Sequence, residues 1–194
     1  VIEVGMSETA ASIFLGLSSA AAIGGILIAK LADVLYKRSP KLRPLIAAIC
    51  SFLEGIFFII FLVLPIRAEI TTFDFAEAMV DLFSLMSSSP MLILSAISFS
   101  IAMLFNSSVG SIRDSVLSDV NLPEHRATVI SGTDIIELFM KSISSAAIGT
   151  IIYITGSIRY PLIAFMVFWF LSGYYWISTA QCISQDIQSI KILL

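Results

Sequence analysis

Charged side chains are scarce in this sequence of 194 residues. Lys, Arg, Asp and Glu together make up 13% of it, whereas hydrophobic residues make up 58%. A soluble globular domain carries about 25% charged residues. The scarcity therefore excludes an ordinary soluble domain and predicts a polytopic membrane protein whose main surroundings are the lipid bilayer.

Histidine and cysteine are nearly absent as well. His125 is the only histidine, which excludes a zinc motif of the HExxH type, and the sequence has no GxSxG elbow and no Walker loop. Cys50 and Cys182 lie inside or at the end of apolar segments, so we expect small buried hydrophobes rather than metal ligands or a disulfide pair. The net charge of −3, with basic residues scattered at helix ends, argues against nucleic acid as a partner. We expect neither enzyme activity nor a cofactor.

Long apolar segments fill most of the chain. A membrane-spanning helix needs roughly 20 apolar residues, and five segments satisfy that length. They lie at about 9–36, 44–66, 90–112, 124–155 and 160–185. We therefore predict an all-α fold, a transmembrane bundle of five spans that forms a single membrane domain over residues 1–194.

The connections between the spans differ in charge. Five basic residues crowd the first connection: Lys30, Lys37, Arg38, Lys41 and Arg43. The second connection, 67–89, carries mainly acids, and its apolar residues at helical spacing predict a short amphipathic helix at about 73–86 on the outer surface, with a disordered loop as the alternative. Because basic residues favour the cytoplasmic side, we expect a plasma-membrane protein with its amino end outside and its carboxyl end in the cytoplasm.

The fourth span contains a stripe of charged residues. Asp134, Glu137 and Lys141 are spaced i, i+3 and i+7, so they share one helical face. Counted from Pro123, they lie roughly 16 to 27 Å along the helix, which predicts that they straddle the middle of the membrane. An ionised group at that depth costs about 2.5 to 3.5 kcal/mol, so the stripe should face a water-filled cavity or a partner. Glu137 and Lys141 can neutralise each other, which leaves Asp134 as the unpaired acid.

Three interpretations of this stripe stay open: a substrate or proton-coupling site that lines a transport cleft, a structural salt bridge between helices, and charges nearer the cytoplasmic interface. On the third span, Asn106 and Gly110 mark a polar side that can line the same cleft. Glu54 lies alone in the second span, and we expect a protonated carboxyl hydrogen-bonded to a neighbour.

Two connections between the spans carry a loop motif. In the segment Gly25 to Arg38, GILIAKLADVLYKR, Asp33 is followed by the basic residues Lys37 and Arg38, and at these three positions the segment resembles the loop motif of the major facilitator superfamily. It departs from that motif at three positions, Ala29, Val34 and Tyr36. Such a degenerate copy looks like the one between the family's eighth and ninth helices.

The second similar loop is 119–128, DVNLPEHRAT, which resembles the connection between the family's tenth and eleventh helices, with Ala127 in place of a glycine. The resemblance implies that the chain corresponds to helices eight to twelve, so its partners would be the missing helices of the same transporter. The chain starts at Val1 and enters its first span almost at once, and we expect a fragment on this ground too. The resemblance also implies a peripheral second span and a fourth span beside the transport cleft.

A cytoplasmic gate is the further expectation. The Asp33 carboxylate can face the N–H groups that open the fourth span near Pro123, where Arg126 would add an ion pair. The resemblance implies that this contact, with Lys37 and Arg38, closes the cytoplasmic side; a solvated helix end without a gating role is the alternative. The expected function is secondary active transport of an unidentified small molecule by alternating access, as a symporter or antiporter with a proton as one candidate ion. The alternative is a non-transporting membrane scaffold or assembly subunit.

Overall fold

The computed structural model describes residues 5–65 and 70–193, and this part of the chain is helical throughout with short connections. The elements are α1 (Glu8–Ser19), a 3₁₀ turn (Ala20–Gly24), α2 (Gly25–Tyr36), α3 (Leu42–Val63), α4 (Phe75–Ser88), α5 (Pro90–Asp119), α6 (Arg126–Thr155), α7 (Arg159–Phe165) and α8 (Val167–Leu193).

Five stretches of the described chain are helical, long and apolar enough to cross a membrane. They are Glu8–Tyr36, Leu42–Val63, Pro90–Asp119, Arg126–Thr155 and Arg159–Ile190. This result confirms the predicted all-helical membrane protein with five candidate spans. The third stretch ends at Asp119, seven residues beyond the predicted end at 112, and that extension matters for the site described below.

The first span is interrupted where it meets α5. It tightens into the 3₁₀ turn and continues as α2 from Gly25, which faces the α5 backbone. A Cβ atom at Gly25 would lie 2.8 Å from Ser107 Oγ and 2.9 Å from the Leu104 carbonyl oxygen. Only glycine fits this contact without displacement, which is the close packing at small residues that membrane helices use.

Helix α3 is central in the described chain. It packs against α5 on one side and against α8 on the other. The α8 contact is close, because a Cβ at Gly173 would lie 2.8 Å from the Phe52 ring. A face of small side chains on α3, including Ala47, Ala48 and Ser51, lets these neighbouring helices approach. The peripheral position that the family resemblance implies for the second span concerns a complete bundle and stays a prediction.

Helix α4 occupies the region where the sequence predicts an amphipathic helix. Asp74 caps it by accepting hydrogen bonds from the backbone N–H groups of Ala76 and Glu77, at 2.9 and 3.1 Å. Ala78 and Leu82 are buried where the helix meets α1. The structure thus has a helix, rather than the alternative disordered loop, at 75–88.

Helix α6 is the least enclosed of the long helices. None of its residues is buried, and it contacts mainly α5 and α7. It ends at Gly156, whose positive φ of 67° is the left-handed conformation that favours glycine at a helix end. The loose packing leaves open space between α6 and the α3–α5–α8 core.

Candidate functional site

Three groups of polar side chains lie at different depths along the bundle. We call them the end cluster (Asp33, Arg43, Asp119), the α6 cluster (Arg113, Asp114, Asp134, Glu137, Lys141) and the central pair (Glu54, Asn106). The end of the bundle that holds the turn 37–41 and the connection 120–125 is called the α2–α3 end. Each group includes at least one residue of α5.

The end cluster joins three helices through one arginine. The Arg43 guanidinium donates to Asp33 Oδ1 at 2.8 Å and to Asp119 Oδ2, and it lies 3.9 Å from the centroid of the Tyr36 ring. Arg43 is only 7% exposed, and its Nε has no hydrogen-bond partner among the described residues. A buried guanidinium between two carboxylates links α2, α3 and α5, and its removal would leave like charges facing each other.

This geometry corrects the predicted partner of Asp33. The carboxylate pairs with Arg43 and not with Arg126, whose Nε donates to the Asn121 carbonyl oxygen at 3.3 Å within the α5–α6 connection. Arg43 is the ion-pair partner because it lies in the first turn of α3, at the same end of the bundle as Asp33. Lys37 and Arg38 are exposed in the α2–α3 turn.

The α6 cluster is organised by Arg113, which lies one residue beyond the predicted end of the third span at 112. Arg113 donates to Glu137 Oε2, and it lies 2.9 Å from Asp134 Oδ1 and 2.9 Å from Asp114 Oδ1. The prediction that Asp134 is unpaired is therefore wrong. Glu137 also meets Lys141, with Nζ 2.5 Å from Oε1, as expected from their i, i+4 spacing.

Arg113 reaches α6 because α5 does not end at 112. The helix continues to Asp119, so Arg113 lies six residues, or about 9 Å, inside its end. The sequence contains a pattern from which this position could be predicted. Asn106, Gly110 and Arg113 are spaced i, i+4 and i+7, so Arg113 lies on the same helical face as the polar side already identified.

The position of the α6 cluster along its helix follows from where the helix starts. Helix α6 begins at Arg126 rather than near Pro123. Asp134 and Lys141 thus lie about 12 and 22 Å along a helix of about 45 Å. The cluster runs from about a quarter of the way along α6 to its midpoint, and its place at the middle of the membrane stays a prediction.

The central pair lies deeper. Asn106 Nδ2 donates to Glu54 Oε1 at 2.6 Å, and Glu54 is 2% exposed. Glu54 stands about 18 Å along α3, a helix of about 33 Å, so it is near the helix centre. The hydrogen bond agrees with the neighbour contact expected for Glu54, and it shows that Asn106 orients this carboxyl.

A cavity of about 830 Å³ connects the central pair with the α6 cluster. It lies between α3, α5, α6 and the α7–α8 span. Its polar lining consists of Ser51, Glu54, Asn106, Arg113, Glu137, Lys141, Ser144, Ser145 and Ser172. Of the sequence-predicted site residues, Asn106, Glu137 and Lys141 meet in this cavity, and Asp134 joins them through Arg113. The predicted gate residues Asp33, Lys37, Arg38 and Arg126 lie at the α2–α3 end.

The charged side chains of the α6 cluster are partly exposed rather than sealed. The exposed fractions are 27% for Arg113, 40% for Glu137, 52% for Asp134 and 68% for Lys141. The ion pairs therefore hold one another in place while leaving surface free to contact water or a solute.

Residues with metal-binding chemistry do not gather in the described part of the chain. Residues 5–65 and 70–193 contain no group of three or more His, Cys, Asp or Glu side chains placed to hold a metal ion. Cys50 is buried as expected, whereas Cys182 is exposed on α8.

Comparison of the chain with protein-family models, with curated proteins and with solved structures gives no match. The resemblance to the major facilitator superfamily rests on the two loop sequences, and the function has to be argued from the cavity and its charged groups.

Proposed function

We propose that the chain is part of a secondary transporter, arranged like one half of a major facilitator, that moves a small solute across the membrane by alternating access. The observation that carries the proposal is the cavity of about 830 Å³ with Arg113, Glu137 and Lys141 on its wall. Further helices of the same protein would close the cavity on its open side. A proton is one candidate for the coupling ion.

The cost of charge in a bilayer supports this function. Each ionised group in a membrane-length helix costs about 2.5 to 3.5 kcal/mol if lipid surrounds it. The α6 cluster holds five such groups, and mutual pairing leaves their side chains partly exposed. A cavity filled with water and solute removes that cost, and it is the environment that a transport cleft supplies.

The weak attachment of α6 supports movement. No α6 residue is buried, so little apolar packing holds this helix in place. The contacts of Arg113 with Asp134 and Glu137 are the principal polar links between α5 and α6. Ion pairs between two loosely packed helices can separate and re-form without opening an apolar core. Rigid-body rocking of helices about such contacts is a known mode of conformational change.

The end cluster is the proposed gate. Arg43 ties α2, α3 and α5 together at the α2–α3 end, which the positive-inside rule assigns to the cytoplasm of a plasma-membrane protein. In this proposal Asp33 keeps the gating role that the family resemblance implies, with Arg43 and Asp119 as its partners. The basic turn with Lys37 and Arg38 faces the cytoplasm.

Neutral variants of the α6 carboxylates test the transport function. In the intact protein, expressed in cells and supplied with a panel of radiolabelled small solutes, Asp134→Asn or Glu137→Gln should abolish uptake while membrane insertion stays normal. Glu124→Gln makes the same chemical change on an exposed residue of the α5–α6 connection and should leave uptake unchanged. Undiminished uptake in both cavity variants would reject the proposed site.

The second candidate is a non-transporting membrane scaffold or assembly subunit. The absence of any buried residue along α6 favours it, because a partner helix could cover the charged stripe. The two candidates differ in water access. A packed scaffold predicts a dry stripe, whereas a transporter predicts that aqueous reagents reach the α6 face that carries Glu137.

A further inference from the structure

Aromatic rings form one wall of the cavity. Phe165, Phe168, Trp169 and Trp176 all line it, and they come from the last membrane-length stretch. These two tryptophans are the only ones in the chain. Aromatic faces carry partial negative charge and attract cations, with tryptophan the strongest of the three ring types.

Glu54 supplies a carboxyl on the same cavity. It is buried near the centre of α3, with Trp169 close to it and the Asn106 amide fixing one oxygen. No basic side chain of the described residues lies within ion-pair distance of Glu54. A buried carboxylate without a cationic partner is costly, so a bound cation would gain by pairing with it.

The charged groups on the cavity wall, taken with the carboxylates paired to them, carry an excess of acid. Arg113, Lys141, Glu54 and Glu137 line the cavity, and Asp114 and Asp134 pair with Arg113 outside its lining. Two positive and four negative groups give a balance of −2 when all are ionised. Arg113 is engaged by three of the carboxylates and Lys141 by one, so neither opposes a cation at Glu54 with an uncompensated charge.

We propose that the cavity selects a monovalent organic cation, with its charge at Glu54 and its apolar body against the rings of Trp169 and its aromatic neighbours. The volume of about 830 Å³ is within the roughly 300 to 1,000 Å³ of small-molecule sites. The proposal rests on the proposed transport cavity and names the substrate class of that same site. Asn106 is a positioning residue, because it holds the carboxyl that meets the cation.

Tryptophan fluorescence of the purified full chain in detergent tests the proposal, with tetraphenylphosphonium as the probe. Because both tryptophans line the cavity, a saturable change in emission reports occupancy of this site. Tetraphenylborate has the same shape and the opposite charge, and it should give no saturable change. Glu54→Gln should weaken tetraphenylphosphonium binding by at least about tenfold, whereas Glu124→Gln should bind like the unchanged chain.

The glutamine carbonyl can still accept the Asn106 hydrogen bond, so Glu54→Gln should keep the fold, which circular dichroism checks. A second variant, Trp169→Leu, removes a ring and leaves Trp176 as the reporter; it should also weaken binding. Three results would each overturn the cation assignment. They are an unchanged affinity of the Glu54→Gln variant for tetraphenylphosphonium, equal binding of tetraphenylborate, and no saturable change in the emission of the unchanged chain. Transport function would stand in those cases if the Asp134→Asn and Glu137→Gln variants still lose uptake, so the two proposals fail separately.

Discussion

Arg113 holds the α6 cluster together because a guanidinium presents several N–H donors in a fixed plane. One NH group reaches Glu137 and another reaches Asp134, so a single side chain spans one turn of the facing helix. Lysine has the same charge but concentrates it on one rotatable ammonium group. The geometry of the cluster thus depends on arginine and not only on a positive charge.

Replacement of Arg113 by lysine tests this dependence. Arg113→Lys should lose one of the two contacts to α6 and lower the free energy of unfolding by about 1 kcal/mol, near the upper value for partly exposed ion pairs. Thermal unfolding in detergent, followed by circular dichroism, measures the loss. Arg38→Lys makes the same change in the exposed α2–α3 turn and should be neutral. Equal stability of the two variants would contradict the bridging role.

At the scale of elements, α5 connects the three polar groups. Asn106, Arg113 and Asp119 stand along this one helix and belong to the central pair, the α6 cluster and the end cluster in turn. The same helix packs against α2 at Gly25 and against α3. Any movement of α5 therefore changes all three groups together.

The close contact of α2 with α5 gives a prediction at this scale. Gly25→Ala places a methyl group 2.8 Å from Ser107 Oγ and 2.9 Å from a backbone oxygen, so the helices must separate. We expect a loss of about 1 to 3 kcal/mol in the free energy of unfolding. Gly16→Ala is the matched control, because nothing lies within 4 Å of the added carbon and alanine favours helix. Thermal unfolding in detergent compares the two variants, and a Gly25→Ala chain as stable as Gly16→Ala would show that the helices do not touch there.

At the scale of the whole molecule, hydropathy and segment length were sufficient to predict the all-helical membrane fold and its five candidate spans. The pairing of helices was not predictable in the same way. A sequence shows which residues share a face of one helix, as for Asp134 and Glu137, but not which face of another helix lies opposite. Arg113 illustrates the difficulty. A charged pair at 113–114 is typical of a helix leaving the membrane, whereas here α5 continues to Asp119 and Arg113 contacts Asp134 and Glu137 of α6.

The partner of Asp33 was not predictable for a related reason. The N–H groups at the start of the fourth span can attract a carboxylate, but the sequence does not show that Arg43, at the start of the next helix, lies nearer to Asp33. Glu54 and Asn106 each stand out in the sequence as polar residues in apolar spans, but their hydrogen bond depends on the rotation of α3 against α5. The candidate cavity therefore emerges only when the helices are packed.

Thiol reactivity on α6 tests the central claim, that the charged stripe faces an aqueous cavity. In intact protein in membranes, with Cys50→Ala and Cys182→Ser removing the native thiols, single cysteines are placed at Ser144, which lines the cavity, and at Phe139. Phe139 lies two residues from Glu137, about 200° around the helix, and is an exposed apolar residue that should face lipid.

The reagent is a membrane-impermeant methanethiosulfonate with a quaternary ammonium group, applied from either side of the membrane. A water-filled cavity predicts that Ser144→Cys reacts at least about tenfold faster than Phe139→Cys, because thiolate forms readily only where water reaches. Equal, negligible reaction at both positions from both sides would contradict the account, because the charged stripe would then be buried in a dry interface.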